Sequence, residues 1–190
     1  MTFEEMCRKI ASLKLVQASS GNLSYRSLTE EFFITSTGCW FENITSDDVV
    51  KCSLKTKKKV DKTDKKPSSE ILMHVLIMQK RSDINVVLHY QPVYSTLISC
   101  SSYVPDFNII PEIPYYIGDV SYVNYYKPGS KELAKNVSQA LEKNNLVIMQ
   151  NHGLTVVGKD FEQVLQRAIF FELACEIIVK AQSFGLNRIF

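Results

Sequence analysis

Phe3, Met6, Ile10 and Leu13 recur at intervals of three and four, the period of a helix with one buried stripe. Thr2 stands where an N-cap belongs, and Glu5, three residues on, completes a capping box. Ser19-Ser20-Gly21-Asn22 breaks the pattern, and short strands follow at Leu23–Arg26 and Glu31–Ile34. The polar turn Thr35-Ser36-Thr37-Gly38 precedes a further strand expected over Asp47–Leu54. A helix is expected over Ser68–Arg81, with Ser68 as N-cap and Ile71, Val75 and Met78 on one stripe. Val86–Gln91 reads as a strand stopped by Pro92, and Val93–Cys100 as a helix. Residues 102–128, rich in Pro, Tyr and Ile, suit short strands and a long connection. Ser130–Lys143 reads as a helix, Leu146–Met149 and Leu154–Val157 as strands, and Asp160–Ser183 as the last long helix. Strands interleaved with helices indicate an α/β domain of two or three layers.

A length of 190 residues suits one domain with a substantial core. Twenty-two basic residues against 20 acidic ones leave no strong bias toward polyanions, which argues against a nucleic-acid binder. No apolar run approaches the ~20 residues of a membrane helix, and the N-terminus lacks the apolar stretch of a signal peptide. Five scattered cysteines without a Cys-x-x-Cys pair read as reduced thiols in the cytoplasm, not a thiolate zinc site. Lys55–Lys66 packs seven lysines and two aspartates into a stretch that reads as a solvated hairpin or loop.

Three separated segments carry groups for chemistry: Pro67-Ser68-Ser69-Glu70, His89-Tyr90-Gln91 and Asn151-His152-Gly153. Side chains alternate along a strand, so His89 and Gln91 point one way and Tyr90 the other. His89 and His152 could belong to an open metal site of the catalytic type, or be hydrogen-bonded structural histidines. Glu70, in the first turn expected for its helix, reads as a capping carboxylate on its own. Ser68 and Ser69 at that terminus suit a phosphate, and Asn22, Thr37 and Gly38 lie on turns able to offer donors to an anion. His74, four residues after Glu70, could orient its carboxylate or serve as a structural histidine.

Ser20-Gly21-Asn22-Leu23-Ser24, Thr35-Ser36-Thr37-Gly38, Pro67-Ser68-Ser69-Glu70, Val87-Leu88-His89, Pro128-Gly129-Ser130 and Asn151-His152-Gly153-Leu154 together resemble the ordered motifs of the class II aldolase/adducin family. The resemblance covers nearly the whole chain. It implies one three-layer α/β/α domain over residues 1–190, with a central mixed, largely antiparallel sheet. It also implies retro-aldol cleavage of a ketose 1-phosphate to dihydroxyacetone phosphate and an aldehyde, by a metal-dependent lyase. Carried across, His89, Gln91 and His152 hold a divalent metal and Glu70 transfers the proton. Asn22, Thr37, Gly38, Ser68 and Ser69 form the phosphate pocket, and a cytoplasmic homotetramer is expected.

The family's metal motif reads His-x-His where this chain has His89 and Gln91. An amide oxygen is a poorer zinc donor than imidazole, so manganese or magnesium enters beside zinc. Two tyrosines that the family uses have no clear match: Ile109 or Ile110 falls near the first, and Tyr115, Tyr116 and Tyr125 are candidate substitutes. These departures leave two alternatives: a related sugar-phosphate epimerase, dehydratase or decarboxylase, or a non-catalytic adducin-like binding module.

Overall fold

The run Val86-Val87-Leu88-His89-Tyr90 is buried at all five positions, as a strand covered on both faces must be. It forms β4, the middle strand of a seven-stranded sheet. In a computed structural model describing residues 1–27, 30–181, 186, 187 and 189, the strands are β1 (Asn22–Arg26), β2 (Glu31–Thr35), β3 (Val49–Ser53), β4 (Val86–Tyr90), β5 (Val120–Val123), β6 (Leu146–Met149) and β7 (Gly153–Gly158). Their order is β3-β2-β1-β4-β7-β6-β5, and every neighbouring pair is antiparallel except β5 with β6. The helices are α1 (Phe3–Ser12), α2 (Ile71–Lys80), α3 (Val93–Ser99), α4 (Lys131–Ala140) and α5 (Phe161–Lys180).

Two cores separate along the strand alternation, which makes the domain three-layered. Leu23, Val86, Leu88, Tyr90, Ile148 and Val156 pack with α1, α3 and α5 through residues such as Ile10, Ile98 and Phe171. Val87, Val147, Val157 and Ile34 face α2 and α4, meeting Met73, Ile77, Leu133 and Val137. Because Val87 looks toward α2, so do His89 and, across the β1–β4 register, Asn22 and Ser24. Polar residues at three strand positions thereby gather beneath one helix.

The Thr2–Glu5 capping box forms as the spacing implies. Ser130 caps α4 and Asp160 caps α5 through their side chains. The start of α3 follows Pro92, whose side chain offers no cap, and is capped from a distance. The Glu172 carboxylate of α5 accepts bonds from the amides of Tyr94 (2.8 Å) and Ser95 (3.0 Å) and from the Ser95 hydroxyl (2.7 Å).

Several expected boundaries move. The helix expected from Ser68 begins at Ile71, and Ser68 is not its N-cap. Pro67 instead bridges Ser36, and the Ser68 amide donates to the Thr35 carbonyl, which keeps residues 67–68 extended beside the end of β2. Val75 and Met78 of the expected stripe are buried and Ile71 is half-buried, and burial extends to Met73, His74 and Ile77 because the helix packs against both the sheet and α4. The strand expected from Asp47 starts at Val49, after a turn in which Asp48 accepts the Thr45 amide. Between 102 and 128 lie one strand, β5, and a wide helical turn at Ile113–Ile117. The expected end of the last helix, at Ser183, lies outside the described residues. The lysine-rich segment folds back on β3 through a Cys52–Lys59 bridge, with most of its lysines exposed.

Candidate active site

Three chain segments converge at one end of the sheet. Glu70 immediately precedes α2, delivered there by the extended Pro67–Ser68 stretch along β2. His89 lies one residue before the end of β4, opposite Asn22 on one side and Thr155 on the other. His152 sits in the turn joining β6 to β7. That turn requires Asn151 at φ 54° and Gly153 at φ 143°. A Cβ at Gly153 would stand 2.7 Å from Gln91 Cγ and 2.8 Å from the Tyr90 carbonyl oxygen. Only glycine lets the turn lie this close to β4.

The Glu70 carboxylate is the centre of the cluster and is 5% exposed. Its Oε2 lies 3.4 Å from His89 Nε2, and its Oε1 lies 3.8 Å from His152 Nε2. Asn22 Nδ2 donates to Oε2 at 3.3 Å, and the Gly129 amide donates to Oε1 at 3.4 Å. The two imidazoles meet edge to face, with centroids 4.8 Å apart. Gln91 donates its amide nitrogen to the His152 carbonyl, which leaves its oxygen uncommitted by that bond.

Burial raises the proton affinity of Glu70, yet the His89 and His152 imidazoles and the Asn22 amide outweigh it and hold the carboxyl below its ordinary value. Burial lowers His152 to about 4 and the fully enclosed His74 to about 3, so both rings are neutral near pH 7.

The donor set fits a divalent cation. His89 Nδ1 lies 2.8 Å from the Leu154 carbonyl, which can only accept, so Nδ1 carries the hydrogen. With the ring neutral, as a metal ligand must be, its Nε2 turns a lone pair toward the carboxylate oxygen 3.4 Å away, leaving room for a cation between two acceptors. One ligand atom from each of Glu70, His89 and His152 lies within 4.8 Å of the others. Ligands about 2.1 Å from a tetrahedral metal stand roughly 3.4 Å apart, close to the separations seen. His152 Nδ1 is buried without a hydrogen-bond partner.

Asn22, Thr37, Gly38, Ser68, Ser69, Glu70, His89, Gln91 and His152 all line one cleft of about 210 Å³. All nine candidate residues from the sequence thus come together. Thr37 donates its hydroxyl to the Pro67 carbonyl at 2.7 Å, tying the two polar turns to each other. Among the described residues no tyrosine lines the cleft. Tyr115 and Tyr125 are exposed, Tyr116 stacks on Phe170, and Ile109 and Ile110 pack on the core. Sequence reasoning missed one contributor, and the route by which another acts. The Gly129 amide reaches Glu70, though only the motif Pro128-Gly129-Ser130 hinted at it. His74 reaches Glu70 through Asn22, a route that its helical spacing from Glu70 could not reveal.

The model of the Class II Aldolase and Adducin N-terminal domain matches residues 2–179. An L-fuculose phosphate aldolase from Methanococcus maripaludis is 33% identical over 173 residues, covering 90% of this chain and 92% of that one. A 3-oxo-tetronate 4-phosphate decarboxylase from Escherichia coli is 28% identical over 182 residues, covering 92% of this chain and 84% of that one. The crystal structure of YgbL from Escherichia coli matches with a TM-score of 0.91 at 20% identity, covering 98% of this chain and 91% of that one, which is a likeness of fold.

Proposed function

The chain belongs to the class II aldolase and adducin N-terminal domain family, and on that premise we propose that it is a metal-dependent lyase cleaving a ketose 1-phosphate to dihydroxyacetone phosphate and an aldehyde. The supporting observation is a buried carboxylate facing two imidazole nitrogens in a cleft also lined by serine, threonine and glycine.

His89, His152 and the Gln91 oxygen would hold a divalent cation, zinc by resemblance or manganese or magnesium given the neutral amide, with Glu70 as a further donor before substrate arrives. Bound there, the cation supplies Lewis acidity at the substrate carbonyl. Ser68, Ser69 and the Thr37–Gly38 turn hold the phosphate, and Asn22 adds the amide hydrogen that Glu70 leaves free. Glu70 carries the proton at the carbon next to the carbonyl. In cleavage, the hydroxyl on the departing carbon gives up its proton to water as it becomes the aldehyde carbonyl. The bond from that carbon to the carbon next to the substrate carbonyl breaks, its electron pair passing into an ene-diolate. Glu70, protonated in turn from water, delivers that proton to the carbon left behind. Its lowered pKa keeps Glu70 ionised, the form that can accept that proton in the condensation direction.

Protein purified without chelator is expected to carry close to one divalent metal per chain by plasma mass spectrometry. A panel of ketose 1-phosphates should yield dihydroxyacetone phosphate, and Glu70→Gln should abolish turnover with the circular dichroism unchanged. Full turnover in that variant would remove Glu70 from the reaction. A second reading is decarboxylation of a 3-oxo acid phosphate, favoured by the Escherichia coli relative and by the cleft's lack of tyrosine among the described residues. Release of carbon dioxide without an aldehyde would select it. The intact Glu70–His89–His152 set favours either enzyme over a binding module.

A homotetramer follows from the resemblance. Val93 and Leu97 on α3 and Ile169 and Leu173 on α5 are exposed apolar residues that assembly could cover. Light scattering would test it. No helix among the described residues is long and apolar enough to cross a membrane. All five cysteines are unpaired, which suits the reducing cytoplasm.

A further inference from the structure

Behind the Glu70 carboxylate runs a line of buried polar groups of which the proposed reaction uses only Asn22. Asn22, Ser24 and His74 are 7%, 0% and 0% exposed. The direction of every bond in the line follows from its end. The ionised Glu70 can only accept, so the 3.3 Å contact to Oε2 comes from the Asn22 amide nitrogen. Asn22 Oδ1 therefore faces His74 Nε2, 2.5 Å away, and that nitrogen must carry the hydrogen. His74 Nδ1 is then a bare acceptor, and the Ser24 hydroxyl donates to it at 2.6 Å. Three hydrogen bonds thus point the same way and end on Glu70, an arrangement in which each bond polarises the next. The line joins two elements: β1 supplies Ser24 and Asn22, α2 supplies His74, and Glu70 stands at the N-cap position of α2.

We propose that His74 and Ser24 are positioning residues, which through Asn22 fix the rotamer of the Glu70 carboxylate and keep its Oε2 aimed at His89. The proposal rests on the assignment of Glu70 above. Asn22 alone could rotate its amide, but with its oxygen held by His74 only the donor face meets the carboxylate. A neutral His74 is required for this polarity, since a doubly protonated ring would repel the Ser24 hydrogen.

A double-mutant cycle on cobalt(II) affinity tests the idea without any substrate. His74→Leu in the folded protein should weaken cobalt binding about 10-fold, the scale of losses when an outer partner of a ligand is removed. In a Glu70→Gln background the same change should cost less than about 2-fold, because the group it positions is gone. His74→Gln, which can accept from Ser24 and donate to Asn22, should restore most of the affinity. Ser24→Ala, a milder change should His74→Leu fold poorly, should give a smaller loss with the same dependence on Glu70. Equal losses in both backgrounds, or cobalt affinity unchanged by both substitutions, would overturn the proposal. A protein that binds cobalt but turns over no ketose phosphate would refute the lyase reading instead and leave the cycle intact.

Discussion

Replacing Gly153 by alanine tests whether the close approach of the His152 turn to β4 builds the site. The added Cβ would meet Gln91 Cγ at 2.7 Å and the Tyr90 carbonyl oxygen at 2.8 Å, against ordinary contact beyond 3.4 Å. The shortfall of about 0.7 Å must be taken up by Gln91, by the β4 backbone or by the turn. The φ of 143° adds strain of about 1–3 kcal/mol for a residue with a side chain. Overpacking adds about another 1–3 kcal/mol. At roughly 2–4 °C per kcal/mol for a chain of this size, the Tm should fall by about 4–24 °C. Displacing His152 by most of an ångström should also lower kcat by about 10–100-fold, given that misplacement by about 1 Å can cost 10²-fold. Gly118→Ala is the control, because Gly118 also has positive φ (79°) but no atom within 4 Å of the added Cβ. It should show only the backbone cost, about 1–2 kcal/mol, with activity intact. Calorimetry and steady-state kinetics on the two variants decide the matter. If Gly153→Ala melts no lower than Gly118→Ala and keeps its kcat, the close approach does not hold the site together.

Gln91→His should raise zinc affinity at least about ten-fold by exchanging a neutral amide oxygen for imidazole, measured by chelator competition; no gain would exclude position 91 as a ligand. Glu172→Ala removes three accepted hydrogen bonds at the start of α3 and should cost about 2–4 kcal/mol in urea unfolding, which an unchanged midpoint would contradict. Metal-free protein should lose stability in acid. His152 and His74 have folded values of about 4 and about 3, below the ~6.5 of an unfolded chain. Their neutral burial therefore contributes stability above pH ~6.5 that disappears as pH falls toward 4, at about 1 kcal/mol per pH unit for each ring. Urea midpoints equal at pH 7 and pH 5 would refute this.

Much of the protein was legible in its sequence, because the legible parts are local. Alternation along Val86–Tyr90 placed His89 and Gln91 on one face before any partner strand was known. The capping box at Thr2 formed where the residue spacing put it. The ordered motifs brought nine residues into one cleft as the resemblance implied. Other features depended on neighbours distant in the chain. Ser68 looks like an N-cap, yet its backbone is claimed by Thr35, 33 residues earlier, and the helix starts late. Asn22 reads as a pocket donor, yet the β1–β4 register and the position of α2 place it between Glu70 and His74. Side-chain period and capping chemistry act within a few residues, so the amino-acid order carries them openly. Which polar groups share a hydrogen is settled only when strands take their register and a helix closes over them.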